Sequence, residues 1–331
     1  MLKLGVIGTN WITKQFVEAV QETATFQLTT IYSRTMEHAL EFKEQLANGS
    51  YQLETNLEHF LSSTEVDVVY VASPNSLHFA QVKQAILHGK HVIVEKPLVS
   101  TRTEFLALQE LLAQHPKVYV FEAARHIHEP EFKFLQASVA ALPKIDGATI
   151  TYRKYSSRYD QVLAGQTPNI FSPVFSGGAL YDLGVYLLYD ALCLFGMPEK
   201  SEYMPQMLPT KVDGQGTIIL HYPTFDVTLL VGKISNSFLP SEIYSGSKTI
   251  LFDDGGTVRK LWNNEVTTPI VFPEHNPMLA EAQVFSQILQ KQDRGAFNKL
   301  WSLADQVNQL LTTLRTTAGI EFAADSEMRN Q

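Results

Sequence analysis

Apolar residues in the first third of the chain follow two alternating periods. Short runs rich in β-branched and aliphatic residues (Leu4 to Ile7, Leu28 to Tyr32, Val66 to Ala72, His91 to Glu95, Val118 to Phe121) are too short for helices and read as buried strands. Between them, apolar positions recur every three or four residues: Ile12, Phe16, Val17 and Val20; Ala39, Leu40 and Leu46; Phe79, Val82 and Ile86; Phe105, Leu108 and Leu112. A further short helix is expected at about 56–62, and Asn48-Gly49 and His88-Gly89 read as helix ends. Strands alternating with helices predict a doubly wound parallel sheet.

Beyond residue 130 the rhythm changes. A helix at about 131–141 precedes an alternating strand, Gly147 to Arg153, and a polar stretch, Tyr155 to Asp160. A helix is expected from Ala179 to about Phe195, stopped by Gly196-Met197-Pro198. Strands then read at Thr217 to His221, Asp226 to Gly232, Ser241 to Tyr244, Lys248 to Phe252, Thr257 to Trp262 and Thr267 to Phe272, with Asp253-Asp254-Gly255-Gly256 as a turn. This is a meander-like antiparallel sheet with no chemistry of its own in view. Two helices at about 277–291 and 297–317 follow, and the polar tail from Ala323 is expected to fray.

Composition narrows the class. With 331 residues, 37.2 kDa and 45% hydrophobic residues the chain can bury ample core, and two domains are expected. A net charge of −8 and a pI of about 5.7 lack the basic footprint of a nucleic-acid binder. Cys193 stands alone inside an apolar run, so no internal disulfide forms, and an inert buried thiol is expected rather than a nucleophile. No leader precedes the first strand and no apolar run reads as long enough to span a bilayer, so the expectation is a cytoplasmic protein without a membrane partner.

The candidate chemistry lies at strand ends. Gly8-Thr9-Asn10-Trp11-Ile12 joins the first strand to the first helix, the opening of a dinucleotide-binding unit whose helix N-terminus would hold a pyrophosphate. The G-x-G-x-x-G pattern is broken, with Asn10 and Thr13 at the second and third glycine positions. After the second strand, where an NAD-preferring fold places a carboxylate, stand Ser33 and Arg34; these favour the 2′-phosphate of NADP(H) over NAD(H). The fifth run ends in Glu95-Lys96-Pro97; Pro97 stops the strand and leaves Glu95 and Lys96 at the carboxyl edge of the sheet, where such sheets bind ligands. His126, His128 and Glu129 invite a metal reading, but no further ligand cluster is evident and none is assigned. Asp182, Tyr186 and Tyr189, spaced i, i+4 and i+7, share one helical face. Arg158, in the polar stretch, either reaches a substrate or lies in an exposed loop.

Three segments together carry a family resemblance: Ser73-Pro74-Asn75 with His78 four residues after the proline; Gly89-Lys90-His91-Val92-Ile93-Val94-Glu95-Lys96-Pro97; and Ser176-Gly177-Gly178-Ala179-Leu180-Tyr181-Asp182-Leu183-Gly184-Val185-Tyr186. In this order and separation they resemble the Gfo/Idh/MocA oxidoreductases, nearest the glucose–fructose oxidoreductase and dimeric dihydrodiol dehydrogenase branch. The resemblance implies an α/β protein: a Rossmann domain, residues 1–121, and a second α/β domain on a large open, mostly antiparallel sheet, residues 122–331. That sheet often forms oligomer contacts, which implies a homo-dimer or tetramer. It implies NAD(P) in the first domain, held around Gly8, Thr9, Asn10, Trp11, Ile12, Ser33, Arg34, Ser73, Pro74, Asn75, His78, Glu95 and Lys96. A sugar, polyol or cyclic diol or ketone would be handled by Lys96, Asp182 and Tyr186, with Arg125, His126 and Arg158 as further substrate contacts. Tyr186 stands where many members carry His. A tyrosine phenol ordinarily ionises near pH 10, and an ammonium such as that of Lys96 would lower it into the range of a base. The eroded glycine loop leaves a second reading open, a cofactor-binding sensor without turnover.

Overall fold

The structure, a computed structural model, describes residues 1–46, 49–263 and 268–327. In chain order the elements are β1 (Leu2–Ile7), α1 (Trp11–Glu22), β2 (Phe26–Tyr32), α2 (Met36–Glu44), β3 (Gln52–Glu54), α3 (Leu57–Ser62), β4 (Val68–Val71), α4 (His78–Leu87), β5 (His91–Glu95), α5 (Arg102–Gln114) and β6 (Val120–Ala123). There follow α6 (Pro130–Ala140), β7 (Gly147–Arg153), α7 (Tyr159–Leu163), α8 (Val185–Phe195), β8 (Lys200–Met207), β9 (Asp213–His221), β10 (Asp226–Gly232), β11 (Ser241–Ser245), β12 (Lys248–Asp254), β13 (Thr257–Asn263) and β14 (Ile270–Val271). The chain closes with α9 (Leu279–Lys291), α10 (Arg294–Thr317) and α11 (Ala323–Glu327).

The chain forms two compact units, one of residues 1–125 with 276–304, the other of residues 126–275 with 305–331. The first thus also takes in residues 276–304, which the family resemblance places in the second domain. The reason is the apolar side of α9, whose Ala282, Phe285, Ile288 and Leu289 join the cluster built by Phe16 and Val20 of α1 and Phe121 of β6. The first sheet has six strands in the order β3-β2-β1-β4-β5-β6, all parallel. Its central strands are buried throughout, as the unbroken runs of β-branched residues require. The strand order reverses between β1 and β4, the point at which doubly wound sheets bind dinucleotides.

The second sheet has eight strands in the order β14-β13-β12-β11-β7-β10-β9-β8, antiparallel except where β10 runs parallel to β7. Buried and part-exposed positions alternate along β9, β10 and β12, so one face carries the core. Under it lies α8, buried from Val185 to Leu192.

Four expectations need correction. Two strands escaped the sequence pattern: β3 is only three residues long, and β8 mixes Lys200, Glu202, Pro205 and Gln206 with exposed methionines, as a polar edge strand does. The helix expected from Ala179 starts instead as a π-helical turn, Leu180–Gly184, before α8 takes over. The tail does not fray at Ala323: α11 forms, and Arg315 grips Asp325 through two contacts of 2.7 Å. One helical stretch, Pro173–Phe195 with mean hydropathy 1.3, is long and apolar enough for a membrane, but 72% of it is buried inside the protein, and it serves as the core helix of the second unit. Asn48 and Thr267, offered as a helix end and a strand start, lie outside the described residues.

Candidate active site

In the first unit the candidate residues lie at strand ends. Gly8 has φ +103°, and a Cβ there would stand 2.6 Å from the Ala72 carbonyl oxygen at the end of β4; the loop passes so close to its neighbour that only glycine fits. Asn10 caps α1: its side-chain oxygen accepts from the amides of Ile12 (2.9 Å) and Thr13 (3.2 Å), and its Nδ2 donates to Ala72 O at 2.8 Å. The residue that breaks the glycine pattern therefore folds its carboxamide inward and ties the loop to β4. Thr13 is fully buried beneath the loop. Thr9 is partly exposed and Trp11, the first residue of α1, is 71% exposed; Ile12 packs against the core. At the end of β2, Ser33 is buried with its amide on Glu54 O (3.1 Å), while Arg34 is exposed.

The Ser73-Pro74-Asn75 turn and the Lys96-Pro97 strand end are joined by one side chain. His78, fully buried, sets one ring nitrogen 2.9 Å from Ser73 O and the other 2.9 Å from Pro97 O. Burial holds its pKa below the ordinary histidine value. Placed among the cofactor contacts by resemblance, His78 has both nitrogens committed to the main chain and acts as a brace between two strand-end turns. The Lys96-Pro97 bond is cis. Glu95 is also turned inward: it accepts a 2.6 Å bond from Tyr70, whose ring stacks on Phe16 at 4.0 Å. Burial raises the Glu95 carboxyl pKa, against the opposing pull of that bond and of the Lys96 and Arg125 charges. Lys96 itself is half-buried at the strand end, and Glu122 accepts from the Leu98 amide (3.1 Å) just beyond the proline. These residues fit a dinucleotide: a glycine that no larger residue can replace, a capped helix N-terminus at the switch point, and an exposed guanidinium after β2.

In the second unit the site grows from the π-turn. Three side chains from distant elements pin it. Asp213 at the start of β9 accepts from the Leu180 amide and the Tyr203 hydroxyl, both at 2.6 Å. Arg315 of α10 donates to the Tyr181 hydroxyl at 3.3 Å. Lys233, just past β10, sets its ammonium 2.6 Å from Asp182 Oδ2. None of the three was singled out from sequence. Asp213 and Lys233 sit in a stretch that read as plain sheet, and Arg315 in a helix with no sign of its partner.

One helical turn beyond Asp182, Tyr186 is 7% exposed, its ring 4.8 Å from that of His126 and 5.6 Å from that of Tyr152. Tyr189 also faces His126, at 6.2 Å. The shared face expected from the spacing is therefore divided: Tyr186 and Tyr189 meet the histidine, and Asp182 meets Lys233. His126 and His128 do not alternate along a strand; they lie in a tight turn, Arg125–His128. His126 Nε2 stands 3.2 Å from Asp190 Oδ1, both residues buried, and burial pushes the Asp190 carboxyl well up. His128 is held neutral by burial, its pKa lowered to about 3. Arg125 is half-buried at the end of the first unit, and Arg158 is exposed at the start of α7. Burial pushes the Cys193 thiol up to about 12, which disfavours the thiolate a nucleophile needs.

Among the described residues one ligand-like cluster forms, from residues far apart in sequence: Glu129, Glu131 and His275, with one ligand atom each within 4.8 Å of the others. Arg259 already supplies positive charge there, its Nη1 3.1 Å from Glu129 and 3.7 Å from Glu131. The cluster uses neither His126 nor His128.

Comparison with known proteins agrees with this architecture. Residues 2–123 match the Gfo/Idh/MocA model, described as an oxidoreductase family with an NAD-binding Rossmann fold. Over 98% of this chain and 99% of the relative, 36% of residues are identical to an uncharacterized oxidoreductase, YgjR, of Escherichia coli (strain K12). The chain belongs to the Gfo/Idh/MocA oxidoreductase family. Within that family it is similar to scyllo-inositol 2-dehydrogenase (NADP(+)) IolU of Bacillus subtilis (strain 168), with 35% identity over 98% of this chain and 99% of the relative. Among solved structures, a 3-ketoreductase from Actinomadura kijaniata in complex with NADP and TDP-benzene shares the fold, with a TM-score of 0.81 at 19% identity over 95% of this chain and 97% of that one. The protein is thus an oxidoreductase with an NAD(P)-binding fold that acts on small molecules.

Proposed function

We propose that the protein moves a hydride between NADP(H) and a cyclic polyol or its ketone. The observation that carries this reading is the pairing, on the one π-to-α junction, of a carboxylate held by a buried ammonium (Asp182) and a phenol one turn along (Tyr186). Similarity over nearly the full length to a scyllo-inositol 2-dehydrogenase supports the substrate class. Exposed Arg34 after β2, where a carboxylate would repel a 2′-phosphate, supports NADP(H) over NAD(H).

When bound, the nicotinamide supplies the hydride acceptor for oxidation and the donor for reduction. In the oxidative direction the substrate hydroxyl loses its proton as its carbon loses hydride. The Tyr186 phenol oxygen takes that proton, and the Lys96 ammonium is assigned to stabilising the phenolate. Asp182 accepts a hydrogen bond from a neighbouring substrate hydroxyl and fixes the ring. Asn10, Gly8 and His78 keep the strand-end turns in shape for the cofactor. In the reductive direction the phenol returns the proton to the alkoxide.

The test begins with titration of the purified protein by NADPH and NADH, read by energy transfer from tryptophan. NADPH is expected to bind more tightly. Oxidation of scyllo-inositol with NADP+ is then followed for the wild type and for Tyr186→Phe. The variant is expected to keep NADPH affinity while turnover falls roughly 10²- to 10⁴-fold, the usual span of a proton-transfer group. Undiminished turnover in Tyr186→Phe overturns the assignment. Tight NADPH binding with no turnover on any polyol would favour a sensor.

A further inference from the structure

Lys233 is an unusual residue to find where it is. Its side chain is 2% exposed, and its ammonium contacts Asp182 Oδ2 at 2.6 Å, donates to Ile170 O at 3.1 Å and lies over the Phe171 ring at 4.5 Å. The backbone of Lys233 is locked on both sides: its amide donates to Gly214 O and its carbonyl accepts from the Ser156 amide, each at 2.8 Å. The nearby Asp213 carboxylate also feels the Lys233 charge, but its Oδ2 is already engaged by the Leu180 amide and Tyr203.

A buried ammonium is costly to desolvate, and a buried ion pair is often no more stable than apolar residues of the same shape. Stability is therefore a poor reason for this pair. Its asymmetry offers a better one. Lys233 is sealed in, while Asp182 is 32% exposed in its side chain. A rigid, buried cation thus grips a carboxylate whose exposed part faces solvent. The cation keeps that carboxylate an acceptor and fixes its direction.

Resting on the function proposed above, we infer that Lys233 is a positioning and specificity-determining residue. It holds Asp182 as an oriented anion, and so the site selects rings that carry a hydroxyl beside the reacting carbon. Sites built to hydrogen-bond a hydroxyl reject the analogue that lacks it far more strongly than apolar sites discriminate by size.

The experiment compares wild type, Lys233→Met, Lys233→Arg, Asp182→Asn and the Lys233→Met/Asp182→Asn double variant. Each is assayed with NADP+ on scyllo-inositol and on cyclohexanol, which lacks the neighbouring hydroxyls. Lys233→Met is expected to lose roughly 10- to 100-fold in kcat/KM on scyllo-inositol, the range of a hydrogen bond to a charged group, and little on cyclohexanol. Lys233→Arg, which keeps the charge, is expected to recover part of the loss. In the Asp182→Asn background, removing Lys233 is expected to change nothing further, because Lys233 acts through that carboxylate. NADPH affinity should stay near wild type, while Lys233→Met, which breaks a buried pair from one side, lowers the melting temperature. Equal losses on both alcohols, or no loss on either, overturn the inference. A wild type that oxidises neither alcohol overturns the function on which the inference rests, and the inference with it.

Discussion

In the first unit, three polar side chains near the strand ends meet the main chain or a neutral partner. Asn10 bonds two helix amides and Ala72 O, His78 lies between Ser73 O and Pro97 O, and Glu95 accepts from a tyrosine. In the second, charge meets charge. Lys233 holds Asp182 and Arg315 holds Asp325. Main-chain carbonyls and amides are present whatever the sequence, so a site built on them asks little of distant residues and tolerates change. A site built on buried charge pairs needs both members, and losing one strands the other in a medium that solvates it poorly. The second unit should therefore be the brittle one.

Arg315→Met is the strongest attack on that contrast. The Arg315 side chain is 2% exposed and makes two 2.7 Å contacts with Asp325, a further bond to Ile320 O at 2.8 Å and the 3.3 Å bond to Tyr181 next to Asp182. Breaking a buried pair on one side typically costs about 3–5 kcal/mol. Urea unfolding at neutral pH should show a loss of this order. Arg315→Lys should restore little of it, because an ammonium cannot reproduce the two-pronged contact. An unchanged midpoint in Arg315→Met would remove the distinction between the units.

The same distinction explains what could be read from the sequence. Strand, glycine turn and helix repeat within short windows, so the parallel sheet, the Gly8 loop and the Glu95-Lys96-Pro97 strand end were all visible as local patterns. Asp182 and Tyr186 stood out because a four-residue spacing on a helix predicts one shared face, although the structure turns them to different partners. What holds them was not visible. Nothing around Lys233 sets it apart from a solvated lysine at a strand end, and nothing in Arg315 names Asp325 or Tyr181. The tail looked frayed because its composition is polar, yet its aspartate answers a buried arginine. Similarly, the run from Pro173 to Phe195 is apolar because most of it is buried inside the protein. Periodicity reports which face is buried; it does not report which charge a buried charge will meet.

Protonation sharpens the comparison at an intermediate scale. His128 is buried in the second unit and neutral there, with a pKa lowered to about 3; the Lys133 and His126 charges add to the effect of burial. An unfolded histidine titrates near 6.5. Because the folded value is the lower one, the unfolded chain binds the proton first. The stabilisation is present above about pH 6.5 and is lost as pH falls towards 3. At pH 4 the wild type should have lost roughly 3 kcal/mol relative to its neutral-pH value through this residue. His128→Gln should lack that component. Half-buried carboxyls such as Asp254, raised to about 6, act with the opposite sign, so the informative quantity is the wild-type-minus-variant difference across pH. A difference that does not vary between pH 7 and pH 4 would mean that His128 is not held neutral.

The smallest expected effect tests the tolerant side. Asn10 stands where the glycine pattern has its second glycine, and its carboxamide carries two helix amides and the tie to Ala72 O. If the loop is held chiefly by main-chain geometry, the side chain contributes only a cap. Asn10→Ala should then cost about 1 kcal/mol, and Asn10→Gly only a few tenths, because glycine leaves the helix amides open to water or to a phosphate. NADPH affinity should be kept or modestly improved in Asn10→Gly, since freed amides at a helix N-terminus are anion ligands. Calorimetric titration with NADPH, beside urea unfolding of both variants, separates the two roles. If Asn10→Gly proved as costly as Arg315→Met, the Gly8 loop would depend on a specific side chain after all. The difference between the units would then lie in how far apart in sequence their partners are, and not in how much each partner contributes.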